Sequence, residues 1–101
     1  MKDKNEPINT TMTKVCFRKD EGSTDVVAVF PQIPWNEKTL TCYEHYGQHG
    51  ACTADWVRYC TRPAKKEEYE PLLRELTELV GYDDLKVLPR MPRVSSRFYG
   101  V

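Results

Sequence analysis

Apolar residues in the N-terminal half of the chain recur at every second position or in short uninterrupted runs, a pattern typical of β-strands. Val15 and Phe17 alternate with other residues, which predicts a strand over residues 14–18. Residues 26–30 are apolar on both faces, so we expect them to form a central strand that is covered on both sides. The turn-forming residues at 19–24 join these strands as a predicted hairpin.

The next segment begins with two prolines. Pro31 and Pro34 are expected to end the pairing of the second strand, because proline cannot donate a ladder hydrogen bond. Trp35 follows them, and we expect its indole to fold back onto the core, with an exposed contact anchor as the alternative. Residues 39–46 are rich in Thr and Tyr and predict a third strand.

Residues 51–60 fit two interpretations, a strand or a short helix. We favour the helix, because Trp56, Val57 and Cys60 then share one face and Thr53 is placed as the N-cap. Asp55 would lie in the first turn, where an acidic side chain suits the helix dipole.

A longer amphipathic helix is predicted over about residues 67–80. Its apolar stripe recurs at steps of three and four and consists of Tyr69, Leu72, Leu73, Leu76, Leu79 and Val80. Pro71 is tolerated only near the start, so the helix should begin near Glu67 or later, or bend at the proline. Gly81 is a suitable C′ residue, with Tyr82 closing back on Leu76, and residues 85–88 predict a last strand.

The element order is therefore β-β-β-(short helix or strand)-α-β. This order predicts an α+β fold in which a mainly antiparallel sheet of about three to five strands carries one long helix on one face. We expect a flexible extension, a single α+β domain and a basic tail, at residues 1–11, 12–90 and 91–101. Met12 is a possible alternative start.

Composition restricts the setting of the protein. The chain has 101 residues, and fifteen Lys and Arg balance fifteen Asp and Glu, so no global field recruits nucleic acid or anionic lipid. No apolar run approaches the roughly 20 residues that span a bilayer, and the charged N-terminus leads into no apolar segment of a secretory signal. We therefore expect a cytoplasmic protein whose four cysteines are reduced thiols.

Charge is uneven along the chain. Residues 63–84 carry a net charge of −4, which we interpret as a solvated acidic helix face. Residues 85–101 carry a net charge of +4. Arg90, Arg93 and Arg97 are either solvated or contact phosphates or an acidic partner.

Four side chains of the types that bind zinc lie within eleven residues, in the pattern Cys42-x2-His45-x3-His49-x2-Cys52. On a strand, Cys42 and His45 point to opposite faces, which argues against a closed four-ligand site. If residues 47–50 form a hairpin turn, His45 stands opposite Cys52, and His49 is a third possible ligand. The same residues allow a Cys/His nucleophile–base pair, although no oxyanion hole or other catalytic motif accompanies them.

We consider this segment chiefly as a loop that displays polar groups. It consists of Tyr43, His45, Tyr46, Gly47, Gln48, His49 and Gly50. Its glycines permit close backbone approach, and its Gln and His side chains offer hydrogen bonds to a partner or a nucleobase. Alternatively, these side chains satisfy the backbone of their own turn.

Several short motifs occur in a fixed order, namely Phe17-Arg18-Lys19, Val27-Ala28-Val29-Phe30-Pro31, His45-x-Gly47-Gln48-His49-Gly50, Thr61-Arg62-Pro63-Ala64, Glu67-Glu68-Tyr69 and Gly81-Tyr82-x2-Leu85-Lys86-Val87. Across roughly residues 13–90 the chain resembles a group of small uncharacterised bacterial proteins often found in phage and other mobile elements. The resemblance implies a bacterial or phage setting and no particular activity.

The sequence thus predicts a small non-enzymatic interaction module with a protein partner and no cofactor, resident metal or membrane contact. One alternative is a nucleic-acid-binding accessory protein that uses the three arginines on phosphates and the tyrosines on bases. The other is a small metal-binding protein or Cys/His enzyme that uses His45, His49 and Cys52. A second copy of the chain could also pair through an edge strand, such as residues 14–18 or 85–88.

Overall fold

Six strands form one mixed sheet in the computed structural model, which describes residues 12–22, 25–44 and 48–99. In chain order the elements are β1 (Thr13–Asp20), β2 (Val26–Pro34), β3 (Leu40–Glu44), β4 (Gln48–Cys52), α1 (Ala54–Cys60), β5 (Thr61–Pro63), α2 (Lys66–Glu75) with a π-helical continuation (Leu76–Val80), β6 (Leu85–Leu88) and a 3₁₀ turn (Ser96–Tyr99). The α+β class is confirmed, but the sheet has six strands rather than three to five, and it is mixed.

The strands lie in the order β4-β3-β2-β1-β5, and β6 also pairs with β1. Neighbours in this order are antiparallel, whereas β6 is parallel to β1 because α2 carries the chain back across the sheet before β6 begins. β6 pairs with residues 13–16 and β5 with residues 18–20, so the two share one side of β1. β2 is central, as predicted. β1 is interior, so the suggestion that residues 14–18 form an edge was wrong, whereas β6 does lie at an edge.

The prediction that the prolines end the pairing of β2 was wrong for Pro31, which lies inside the strand, whereas Pro34 is its last residue. The register passes from the Phe30–Thr41 pair to the Pro34–Leu40 pair through an irregularity. Such a bulge leaves residues unpaired, which accommodates the missing amide proton of Pro31 without breaking the ladder.

One face of the sheet is covered by α2, as predicted. Leu72 and Leu76 pack against Val15, Phe17 and Phe30 in one buried cluster. The Phe17 ring also stacks on the ring of Tyr69, with centroids 4.5 Å apart.

The opposite face is covered by α1 and by the segment that follows β6. Val57 is buried there with Val29 and Leu40, and Trp56 packs at the margin. Phe98 completes this cluster at only 6 % exposure, within the segment for which the sequence predicted a basic tail. The apolar residues around the arginines, not the arginines, attach this segment to the sheet.

The short helix predicted after β4 is confirmed as α1. Thr53 is its N-cap, and its Oγ1 accepts a hydrogen bond from the Trp56 amide at 3.1 Å. Asp55 lies in the first turn, as the charge pattern indicated.

Ionic contacts fix the start of α2. Arg62 forms two hydrogen bonds with the Glu68 carboxylate, at 3.0 and 2.8 Å, and the Lys65 amide donates a third at 2.8 Å. These contacts hold the pKa of Glu68 down at about 2. The helix begins at Lys66, one residue before the predicted limit, and continues through Pro71.

The end of the long helix widens into a π-helical segment. The amides of Gly81 and Tyr82 both donate to the Leu76 carbonyl at 3.0 Å, which confirms that the chain closes back on Leu76. Gly81 has a φ of 104°, in the left-handed region that favours glycine. No helix in the described part of the chain is long and apolar enough to cross a membrane.

We predict that Gly81→Ala lowers the free energy of unfolding by about 1–2 kcal/mol, because a Cβ is strained in the left-handed region. A Cβ at Gly81 would meet no atom within 4 Å, so the cost comes from the backbone alone. Gly22→Ala is the control, since its Cβ would make only an ordinary contact at 3.7 Å. Urea denaturation of both variants measures the difference, and equal stabilities would contradict the prediction.

Candidate functional site

Much of the predicted display loop is strand. Three of its residues lie outside the described part of the chain, namely His45, Tyr46 and Gly47. Gln48, His49 and Gly50 belong to β4, and the Glu44–Gln48 pair is the last before the turn. Gln48, His49 and Gly50 are therefore not part of the turn predicted for residues 47–50, and the partner of Cys52 is Leu40.

His49 joins a polar cluster on the α2 face of the sheet. It pairs with Tyr43 across the strands, and the two rings meet edge to face with centroids 4.9 Å apart. Its Nε2 lies 3.2 Å from the hydroxyl of Tyr82. The buried Tyr43 hydroxyl donates to the Glu75 carboxylate at 2.5 Å, which raises the pKa of Tyr43 to about 12, with burial adding to the effect. These contacts attach the β3–β4 hairpin to α2.

The predicted Cys/His combination does not assemble as the linear pattern suggested. His49 faces α2, whereas Cys52 belongs to the cluster beneath α1 on the other side of the sheet. Their separation of three residues along β4 causes this, because side chains alternate between the faces of a strand. Across residues 12–22, 25–44 and 48–99, no group of three or more His, Cys, Asp or Glu side chains is arranged to hold a metal ion.

Cys42 and Cys52, by contrast, lie on the same face of adjacent strands. Cys42 pairs with Gly50, so Cys52 is its diagonal neighbour. The interaction between the two thiols lowers the pKa of Cys42 and raises that of Cys52. Both thiols line a groove of about 340 Å³ together with Trp56.

The three arginines that were predicted to contact phosphate or a partner are exposed. Arg93 shares a groove with Arg58 of α1, whose contribution the sequence did not reveal. The guanidinium of Arg97 lies over the Phe98 ring, 4.9 Å from its centroid. Arg90 follows β6 directly.

A second groove, which sequence reasoning missed, separates α2 from the edge strand β6. Its volume is about 450 Å³, and its lining consists of Glu70, Leu73, Arg74, Thr77, Glu78, Asp83, Leu85 and Val87. We call it the α2–β6 groove. The acidic run of residues 63–84 was a signal for it, but only the packing of β6 beside α2 turns a charged helix face into a groove.

Trp35 is 51 % exposed, so the expectation that it folds onto the core was wrong. The turn that follows is satisfied locally, because the Asn36 carboxamide oxygen accepts from the amides of Lys38 and Thr39 at 2.8 and 2.9 Å. With the turn ordered by its own hydrogen bonds, burial of the indole is not needed to hold it.

No protein-family model, curated protein or solved structure matches the chain. The resemblance to small bacterial and phage-associated proteins therefore stays a prediction. Any function has to be argued from the grooves and side chains of this chain.

We predict that Tyr43→Phe lowers stability at neutral pH by about 1.5–3 kcal/mol, the usual range for a hydrogen bond to a charged group. Folded Tyr43 keeps its proton up to a pKa of about 12, above its ordinary value of 10. The stabilisation is therefore complete below pH 10 and is lost as the pH rises through 12. Chemical denaturation between pH 7 and 12 tests this, and a constant difference between wild type and variant would contradict it.

Proposed function

We propose that this protein is an interaction module that binds a basic, extended segment of a partner protein in the α2–β6 groove. The observation that carries the proposal is an edge strand lying beside a helix across a groove with apolar and acidic lining. The proposal includes a bacterial or phage setting for this module, because the resemblance to small bacterial and phage-associated proteins implies one.

The backbone of β6 supports strand addition. In the part of the chain that the structure describes, β6 pairs only with β1, so its other edge lies without a strand partner. Edge strands carry amide and carbonyl groups that pair readily with an extended peptide. A peptide that adds there would lie between β6 and α2.

The apolar lining gives such a peptide a place for alternate side chains. Leu73, Leu85 and Val87 line the groove and are only half-buried. Nearby, Leu79 is 81 % exposed and Val80 is 39 % exposed on the π-helical segment. Apolar side chains of a bound segment would cover part of this surface and gain the corresponding hydrophobic free energy.

The charges of the groove favour a basic partner. Glu70, Glu78 and Asp83 are exposed around it, and Arg74 is the single basic side chain of its lining. Electrostatic complementarity of this kind raises the association rate and selects partners by charge. A segment of alternating apolar and basic residues matches both properties of the groove.

We predict that a short synthetic peptide of alternating valine and lysine binds the protein and that its valine–glutamate counterpart does not. NMR amide shifts and added hydrogen-exchange protection should centre on residues 85–88, because the peptide pairs with that backbone. N-methylation of the backbone amides of the lysine peptide should abolish binding, since it removes the N–H donors that strand addition needs. Equal binding of both charge variants, or shifts centred on β4, would overturn the proposal.

The acidic residues provide the matched variants for this experiment. Combining Glu70→Lys, Glu78→Lys and Asp83→Lys should weaken binding of the lysine peptide at least tenfold, whereas Glu37→Lys, in the β2–β3 connection, should not. Sedimentation of the unliganded protein is a second control. A stable dimer that protects residues 85–88 would assign the edge to a second copy of the chain and contradict a peptide partner.

Nucleic-acid binding is a second candidate function, and the groove shared by Arg58 and Arg93 favours it. Arg90 and Arg97 lie in the same part of the sequence and are exposed. This candidate function assigns phosphate contacts to these four arginines, of which Arg58 and Arg93 share a groove.

If all four arginines contact phosphates of single-stranded nucleic acid, the logarithm of the binding constant should fall with the logarithm of salt concentration at a slope of about −3. Fluorescence anisotropy with a labelled oligonucleotide measures this slope. Replacing Arg93 with Ala should make it less steep by about 0.7. A flat salt response, or unchanged binding by the variant, would remove this candidate.

A further inference from the structure

We propose that Cys42 and Cys52 form an open binding site for a thiophilic metal ion of the Zn²⁺ or Cu⁺ class. Thiolates are the preferred ligands of such ions. The site differs from the Cys/His pattern in the sequence, because its two ligands share one face of the sheet and His49 lies on the other face.

The placement of the two side chains suits a shared ion. Cys42 and Cys52 are diagonal neighbours on the same face of β3 and β4, and they line the same groove. Two thiolates on a tetrahedral zinc ion, with bonds of about 2.3 Å, are about 3.8 Å apart. Because both side chains project from the same face into one groove, rotation about their Cα–Cβ bonds can bring the two sulfurs to one ion.

A disulfide fits this position less well. Diagonal neighbours on antiparallel strands are about 7–8 Å apart at their Cα atoms, whereas disulfides rarely exceed about 6.8 Å. Direct bonding of Cys42 to Cys52 would thus require the strands to move together. A bridging ion requires no such movement, so the geometry favours a metal over a covalent link.

The pair is reachable from solvent although both residues are largely buried. Cys42, Cys52 and Trp56 line one groove. Gly50 lies directly across from Cys42, and a Cβ built there would be 4.0 Å from its sulfur. The missing side chain leaves the sulfur uncovered, and a larger residue at position 50 would screen it.

Charge and coordination define the character of the site. Glu44 lines the same groove as the two cysteines, so its carboxylate adds negative charge that favours a bound cation. No third ligand of the usual types converges within the described ranges. The remaining coordination positions would therefore be taken by water or by a thiolate, imidazole or carboxylate of another molecule that enters the groove.

Metal titration of the reduced, tag-free full-length chain tests the proposal. Co²⁺ serves as the spectroscopic substitute for Zn²⁺, and Cu⁺ is supplied from a competing chelator. We expect one ion per chain, a thiolate-to-metal charge-transfer absorption and the release of about two protons, since thiols must ionise to bind. The two titrations distinguish a zinc site from a copper site by their competition-derived affinities.

Single substitutions identify the ligands. Cys42→Ser and Cys52→Ser should each weaken binding at least tenfold, whereas Cys60→Ser, at an exposed position at the end of α1, should not. Circular dichroism checks that each variant is folded. Gly50→Val keeps all four thiols and should also weaken binding at least tenfold, so the proposal stays testable if a serine variant fails to fold.

The contrary results are equally definite. Failure of the wild-type chain to bind either ion stoichiometrically would overturn the proposal. So would an absorption band that persists in both Cys42→Ser and Cys52→Ser, or one that disappears in Cys60→Ser. Binding by Gly50→Val at wild-type affinity would refute the role of the uncovered sulfur.

Discussion

The position of the elements around β1 depends on a buried guanidinium. Arg18 is only 7 % exposed, and it donates to the Thr61 hydroxyl at 2.9 Å and to the carbonyls of Val57 and Thr61 at 3.1 and 3.0 Å. A buried charge without such acceptors would cost several kcal/mol. The Thr61 hydroxyl in turn donates to the Val57 carbonyl. Arg18 therefore fixes the end of α1 and the start of β5 against β1, where the chain leaves one face of the sheet on its way to the helix on the other.

The alternation of side chains along the strands divides the chemistry of this protein between two faces. Cys42 and Tyr43 are adjacent in sequence, yet Cys42 packs beneath α1 and Tyr43 beneath α2. The same alternation separates His49 from Cys52. Because side chains alternate along β3 and β4, the compact Cys/His pattern of the sequence is divided between the two faces. Cys42 and Cys52 lie on one face, and His49 lies with Tyr43 on the other.

Features that depend on local sequence were predictable, and features that depend on distant partners were not. The apolar stripe predicted α2, Thr53 predicted the start of α1, and Gly81 predicted the close of the long helix, because each acts within a few residues. β5 has only three residues and exists because β1 offers it an edge. The burial of Phe98 likewise requires the sheet face that α1 leaves uncovered, which no pattern within the C-terminal segment reveals. The same holds for the candidate sites. The sequence contains the residues that line each groove, but which of them lie next to one another depends on how the helices pack on the sheet.

The two proposed sites are physically independent. The α2–β6 groove lies at one edge of the sheet on the α2 face, and the dithiol lies between β3 and β4, near the other edge, on the α1 face. At about 4.8 Å per strand, the four steps from β4 to β6 span about 19 Å. Substitutions farther apart than about 7–10 Å usually have additive effects. A partner segment and a metal ion could therefore bind together without competing, and loss of one binding activity by a local substitution would leave the other measurable.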